Sequence, residues 1–225
     1  MNNKINDNFE LSNKGNYFTV IKIIFLLVGL QIIRMILKKS AFLFFPHNKF
    51  NDVLISIIII FILTLFIIYK SKQERIRLDI FSYMKSKESK TYYFMVTGAI
   101  LLLIFNSPFF IRNPSIETLL YLLYITIMIP IYEEIIFRSY IWNILKKENM
   151  NEIKIYFLTT LLFSVYHIGY IDRIIDINGF NNIGVSIFIK CSLMLSYGLF
   201  IGFFKYKIKN SYSCMLVHSF INIFM

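Results

Sequence analysis

Pro130-Ile-Tyr-Glu-Glu-Ile-Ile-Phe-Arg-Ser-Tyr-Ile-Trp142 is the stretch whose reading decides the fold. Glu133, Glu134 and Arg138 stand in it among apolar and aromatic neighbours. Directly before them, the apolar run from Ile116 to Ile131 is long enough for most of a membrane span. A charged group at membrane depth costs roughly 2.5–3.5 kcal/mol on insertion scales and usually serves a function. Two adjacent carboxylates there read as the acid/base centre of a hydrolase that works inside the bilayer.

The rest of the chain supports a membrane setting. Of its 225 residues, 57% are hydrophobic and 18% aromatic, with a mean hydropathy of +0.62; a soluble domain is about 45–50% apolar. Several apolar runs approach or exceed ~18 residues, the signature of transmembrane helices. The expected fold is therefore all-α, a polytopic transmembrane bundle of about seven spans. The helices are expected at about Phe18–Leu37, Val53–Tyr69, Thr91–Phe105 (with a continuation towards Ile111), Ile116–Leu145 interrupted by Pro130, Ile153–Ile168, Val185–Phe204 and Ser211–Met225. Lys22 and Arg34, near the ends of the first, are expected to snorkel. Lys190 is read the same way. The segment Gly169–Gly184, with Asp172, Arg173, Asp176 and Asn178, reads as a polar loop.

The net charge of +11 does not mark a nucleic-acid protein. The basic residues fall between the apolar runs, above all in the linker Lys70–Lys90, and no nucleic-acid motif accompanies them. Counting Lys and Arg on alternate sides puts the N-terminus on the cytoplasmic side, with the basic loops facing anionic lipid headgroups. Met1–Tyr17 lacks a signal-peptide pattern, so the first span is expected to stay as an uncleaved anchor. The richness in Ile, Lys, Asn and Phe points to an AT-rich, bacterial source and hence to the plasma membrane. Cys191 and Cys214 lack metal-ligand spacing and read as packing residues.

Spacing divides the labour of the opening stretch. Glu133 and Glu134 project about 100° apart on a helix. Glu134 and Arg138 are at i and i+4, acid first, which favours an ion pair and leaves Glu133 facing a cavity. Pro130 removes a backbone hydrogen bond just upstream and is expected to kink the helix and admit water. Two further apolar helices carry polar residues at i, i+4: Phe163 with His167, and His218 with Asn222. Gly198 and Gly202 allow close helix packing. Glu133, His167 and His218 could supply three metal ligands. Equally, Glu133 and His167 could activate a water directly, with His218 and Asn222 stabilising the tetrahedral intermediate.

Taken in order, Glu133-Glu134-x-x-x-Arg138, Phe163-x-x-x-His167 and His218-x-x-x-Asn222 resemble the three signatures of the CPBP family. These are intramembrane proteases that include the type II CAAX prenyl endopeptidase and the bacterial bacteriocin-processing or self-immunity (Abi) proteins. The resemblance divides the chain into a variable N-terminal region of three helices, 1–115, and a catalytic core of four helices, 116–225. It implies an endopeptidase in which Glu133 is the general base acting with His167 on a water, and His218 and Asn222 lie near the oxyanion. Glu134, Arg138 and Phe163 support. The family is commonly labelled metalloprotease, although a metal-free glutamate mechanism is also argued for it; the cofactor is thus either a divalent metal such as zinc or none. The implied substrate is a peptide or membrane protein, processed in peptide maturation or bacteriocin self-immunity. Two other readings stand beside it. One is a non-catalytic immunity or scaffold protein of the same fold. The other is a small transporter with a carboxylate proton relay, which the lack of inverted repeats disfavours.

One tension follows from these boundaries. His167 lies ~20 Å along its helix and His218 only ~10 Å along its own, at 1.5 Å per residue.

Overall fold

The computed structural model describes residues 2–80, 87–171, 175 and 182–224, with side chains from Tyr17 onward except at 87 and 88. The helices are α1 (Asn2–Ala41), α2 (Lys49–Gln73), α3 (Lys87–Phe105), the short α4 (Pro108–Arg112), α5 (Ile116–Lys147), α6 (Glu152–Tyr166), α7 (Ile183–Ile208) and α8 (Ser211–Ile223). A 3₁₀ turn, His167–Tyr170, extends α6. No strand occurs among the described residues. The starts follow from side-chain caps: Asn48, Ser107, Ser115, Asn151 and Asn210 each accept a hydrogen bond from a backbone N–H in the following turn. Most of the expected polar loop, including Asp172, Arg173, Asp176 and Asn178, lies outside the described residues, as does Lys85 of the basic linker.

Seven long helices are present, as the apolar runs predict, but they are not equivalent. Five are long and apolar enough to cross a membrane: Tyr17–Ala41, Lys49–Gln73, Ser89–Arg112, Ile116–Lys147 and Ile183–Ile208. Helices α6, of 15 residues, and α8, of 13, are shorter than the ~20 residues a span needs. Large side chains such as Phe25, Ile58, Phe94, Leu102, Phe188 and Phe203 point outward. That apolar surface suits lipid rather than water.

Helix α5 is the axis of the bundle. It packs against α2 on one side and α6 and α8 on the other, and from Tyr132 to Trp142 every residue is buried. Its course corrects the expectation for Pro130. The helix is not broken there: Tyr124–Met128 forms a π turn in which the N–H of Ile129 reaches back to the Tyr124 carbonyl. Pro130 then lies in the first turn of the next α segment, and the helix continues through it to Lys147. A second π turn, Ile135–Ile141, carries Arg138. Such turns often occur at functional sites.

Helix α7 lies along α6 at close range. A Cβ on Gly202 would meet the Tyr156 ring at 2.9 Å, and one on Gly198 the Phe163 ring at 3.1 Å, so the small residues serve contact. Cys214 is buried and packs.

Arg34 does not snorkel. It is buried, and its guanidinium bonds the Gln31 side chain at 2.8 Å and the Gly169 carbonyl at 2.8 Å. Lys22 remains exposed, its ammonium 4.3 Å from the Phe18 ring centroid. The first part of the basic linker is likewise bound down. Asn143 donates to the Arg77 carbonyl at 2.8 Å and Lys147 to that of Glu74 at 3.3 Å. Burial alone would raise the Glu74 carboxyl; hydrogen bonds from Lys70 and Tyr140 outweigh it and hold the group below its ordinary value.

Asp79 ends that linker segment with an ion pair to the fully buried Lys205 of α7. The hydroxyls of Ser139 and Ser211 donate to the same carboxylate at 3.1 and 3.0 Å. The single O–H of Ser211 is shared with the Arg138 carbonyl, also at 3.0 Å. Helix α8 therefore starts beside the middle of α5, inside the bundle. Loss of one partner of a buried pair leaves an uncompensated charge costing about 3–5 kcal/mol. Asp79→Asn is accordingly expected to destabilise the protein by that order in detergent thermal unfolding. Adding Lys205→Met, which removes the stranded ammonium, restores much of the loss.

Candidate active site

Three elements meet at Glu133. Helix α5 brings Glu133, Glu134 and Arg138; the 3₁₀ turn after α6 brings His167; α8 brings His218. All five side chains are at most 6% exposed. The Glu134 carboxylate lies 3.3 Å from Arg138 Nε through Oε2, and its Oε1 accepts from His218 Nδ1 at 2.8 Å. The Arg138 guanidinium also reaches the Gly198 carbonyl at 3.4 Å and sits 4.4 Å from the centroid of the Phe163 ring. Glu134 is thus held by a cation and an imidazole, whereas Glu133 has no Lys or Arg in ion-pair contact among the described residues.

Two hydrogen bonds fix the histidine tautomers. A backbone carbonyl only accepts, so the 2.8 Å contact of His167 Nδ1 with the Phe163 carbonyl places a proton on Nδ1. The Glu134 carboxylate does the same for His218 Nδ1. Both rings then present an unprotonated Nε2 in their neutral forms. These two nitrogens face the two oxygens of Glu133: His167 Nε2 is 3.6 Å from Oε1 and His218 Nε2 is 4.0 Å from Oε2. Both gaps exceed the 2.7–3.2 Å of a direct bond. A water about 2.8 Å from two of these atoms would be in hydrogen-bond contact with both.

Glu133, His167 and His218 are chemically fit to bind a metal, but among the described residues no three His, Cys, Asp or Glu groups gather as a metal centre requires. Asn222 is engaged on both sides of its amide. Its amide N–H donates to the Ile125 carbonyl at 2.7 Å, and its amide oxygen accepts from the Tyr197 hydroxyl at 2.8 Å. It fastens α8 to the first π turn of α5. Phe163 is fully buried, with its ring edge-on to His167 at 4.7 Å between centroids.

Several neighbours escaped the reading of spacing. The Tyr197 ring packs edge-on against His218 at 5.0 Å. Lys190 lies seven residues before Tyr197, hence on the same face of α7, near enough for its charge to act on both Glu133 and His167. Gln31 donates to the Tyr166 carbonyl at 3.2 Å while Arg34 holds that of Gly169. Helix α1 thereby grips the turn on both sides of His167. A polar pair at i, i+3 in an otherwise apolar span was the available signal for it. A cavity of about 570 Å³ lies elsewhere, lined by Phe42, His47, Asp52, Glu117 and Tyr121 among others.

The roles of the two adjacent glutamates separate in stability. Glu134→Gln breaks a buried pair and is expected to cost about 3–5 kcal/mol in thermal unfolding. Glu133→Gln removes a buried carboxylate that lacks a cation in contact, so its melting temperature should equal or exceed that of the wild type.

Residues 115–224 match the family model described as Type II CAAX prenyl endopeptidase Rce1-like. No curated protein and no solved structure matches the chain.

Proposed function

We propose that this chain, an integral membrane protein whose Rce1-like domain places it with the CAAX-type intramembrane proteases of the CPBP family, hydrolyses a peptide bond of a membrane-associated peptide or protein. The observation that carries the reading is the pair of unprotonated imidazole nitrogens turned on the Glu133 carboxylate at 3.6 and 4.0 Å. Buried carboxylates elsewhere in the protein are tied to cations. This one is left facing two acceptors across water-sized gaps.

The steps follow from those contacts. A water between Glu133 and His167 gives one hydrogen bond to the carboxylate and one to Nε2. Its lone pair is then free for the substrate carbonyl carbon. As the new O–C bond forms, the water proton passes to Glu133, and the carbonyl π pair moves onto its oxygen. Collapse of the tetrahedral adduct breaks the C–N bond, and Glu133 returns the proton to the leaving nitrogen. His167 directs the water, since the Phe163 carbonyl fixes its ring. Arg138 acts one step back, by neutralising Glu134 so that Glu134 can hold His218. Peptide maturation or bacteriocin self-immunity is the biological setting this chemistry serves best, in the plasma membrane of a bacterium.

Removal of a general base slows such reactions by about 10²–10⁴-fold. Membrane peptidomes of cells with the wild-type protein, Glu133→Ala and His167→Ala are expected to differ in the same set of fragments. Both variants should lose that set while inserting normally into the membrane. Wild-type fragment patterns from both variants would refute the mechanism.

A further inference from the structure

Peptide hydrolysis needs a hydrogen-bond donor for the carbonyl oxygen as it becomes anionic; removal of one such donor slows acyl transfer by about 10²–10³-fold. The groups around Glu133 are poor in donors. His167 spends its Nδ1–H on the Phe163 carbonyl and His218 spends its own on Glu134, so each offers only a lone pair. One amide N–H of Asn222 goes to the Ile125 carbonyl, and Arg138 is turned on Glu134 and Gly198. The Tyr197 hydroxyl is engaged with Asn222. The atoms turned on Glu133, the two Nε2, are acceptors.

One O–H stands apart. The Tyr170 hydroxyl is buried and makes no hydrogen bond of normal geometry. It lies close enough to Glu133 for the charge of that carboxylate to act on it. Its ring packs against His167 at 5.6 Å and Tyr166 at 6.2 Å between centroids. Arg34 of α1 sits over that ring at 4.5 Å while holding the carbonyl of the preceding residue, Gly169. A buried hydroxyl short of a well-formed hydrogen bond is costly, and this one is fixed by a cation, two aromatic rings and a clamped turn.

We infer that Tyr170 is a further catalytic residue, whose hydroxyl donates a hydrogen bond to the oxyanion formed when water adds to the substrate carbonyl. The inference rests on the proteolytic reading above. In the resting protein the O–H is near the Glu133 carboxylate but short of a hydrogen bond of normal geometry. When the π pair moves onto the carbonyl oxygen, that oxygen becomes the better-placed acceptor. Arg34 is then the positioning residue that keeps the ring in place, although it belongs to the N-terminal helices and not to the matched domain.

The test uses the full-length protein in detergent and a peptide carrying a cleavage sequence taken from the fragments that depend on Glu133. Tyr170→Phe removes only the oxygen. It is expected to lower kcat about 10²–10³-fold, with KM changed less than about threefold and the melting temperature preserved. A phosphonate analogue of the same peptide, which carries the tetrahedral oxyanion, supplies a second readout without turnover. Wild-type protein should bind it more tightly than the amide peptide, and Tyr170→Phe should lose most of that preference. An unchanged kcat, or an equal loss of affinity for both peptides, overturns the role of Tyr170 and leaves the protease reading intact. Equal turnover by wild type and Glu133→Gln removes the protease reading, and the oxyanion role falls with it.

Discussion

A bundle that draws two adjacent carboxylates out of contact with water must neutralise at least one, and the Glu134–Arg138–His218 contact does so. Each further feature of the site follows from it. The second π turn carries Arg138, with its side chain back on Glu134 at 3.3 Å. Glu134 in turn takes the Nδ1 proton of His218 and so leaves Nε2 bare towards Glu133. The polarity of the face turned on Glu133 is therefore set from behind, by the neighbouring carboxylate. Were Glu134 to face a solvated surface, water would compete for the His218 proton and the ring could take either tautomer.

The same contact demands that α8 enter at the right depth, which resolves the tension between the helices. His167 lies about 22 Å from the start of α6, counted at 1.5 Å per residue, and His218 about 10 Å from the start of α8. The two meet at Glu133 because their helices start at different levels. The start of α6 lies at the end of α5, where Lys146 bonds Glu152 at 3.0 Å. The start of α8 lies well inside, where Ser211 bonds the Arg138 carbonyl. Irregular backbone at that depth is tolerable only when protein encloses it and supplies its hydrogen bonds. Asn210 caps the helix, and Lys209 reaches back to Glu152. The Asp79–Lys205 pair fills the space beneath. The lower ion pair is thus a condition for the upper one.

What was legible in the sequence was local. Apolar runs mark the seven long helices, and the four-residue spacings place Glu134 beside Arg138 and set His167 and His218 on apolar helices. Long-range pairing was not legible. Nothing in the spacing of Gln31 and Arg34 says that they meet carbonyls some 135 positions away. Nothing in the basic linker says that Asp79 will lie against Lys205. Pro130 misled for a related reason. Its missing N–H is a local fact, but whether that breaks a helix depends on the preceding backbone, and a π turn absorbs it. Asn222 was read from its face of α8, although its two amide bonds go to α7 and α5.

These long-range contacts also change how the N-terminal helices stand to the rest. The division at 115–116 follows the motifs, not the packing. One core cluster contains Ile23, Leu27 and Leu30 of α1, Ile59 and Leu63 of α2, and Phe137, Phe163 and Cys214 of the C-terminal half. The turn bearing His167 has its carbonyls held by α1 on either side of the histidine. A turn at the end of a 15-residue helix would otherwise be free to fray, and a fraying turn cannot hold Nε2 at a fixed distance from Glu133. Catalytic geometry of this kind requires positions fixed to about 0.5 Å by supporting contacts. The residues that do the chemistry can lie wholly within 116–225 while the precision with which they meet depends on residues 31 and 34.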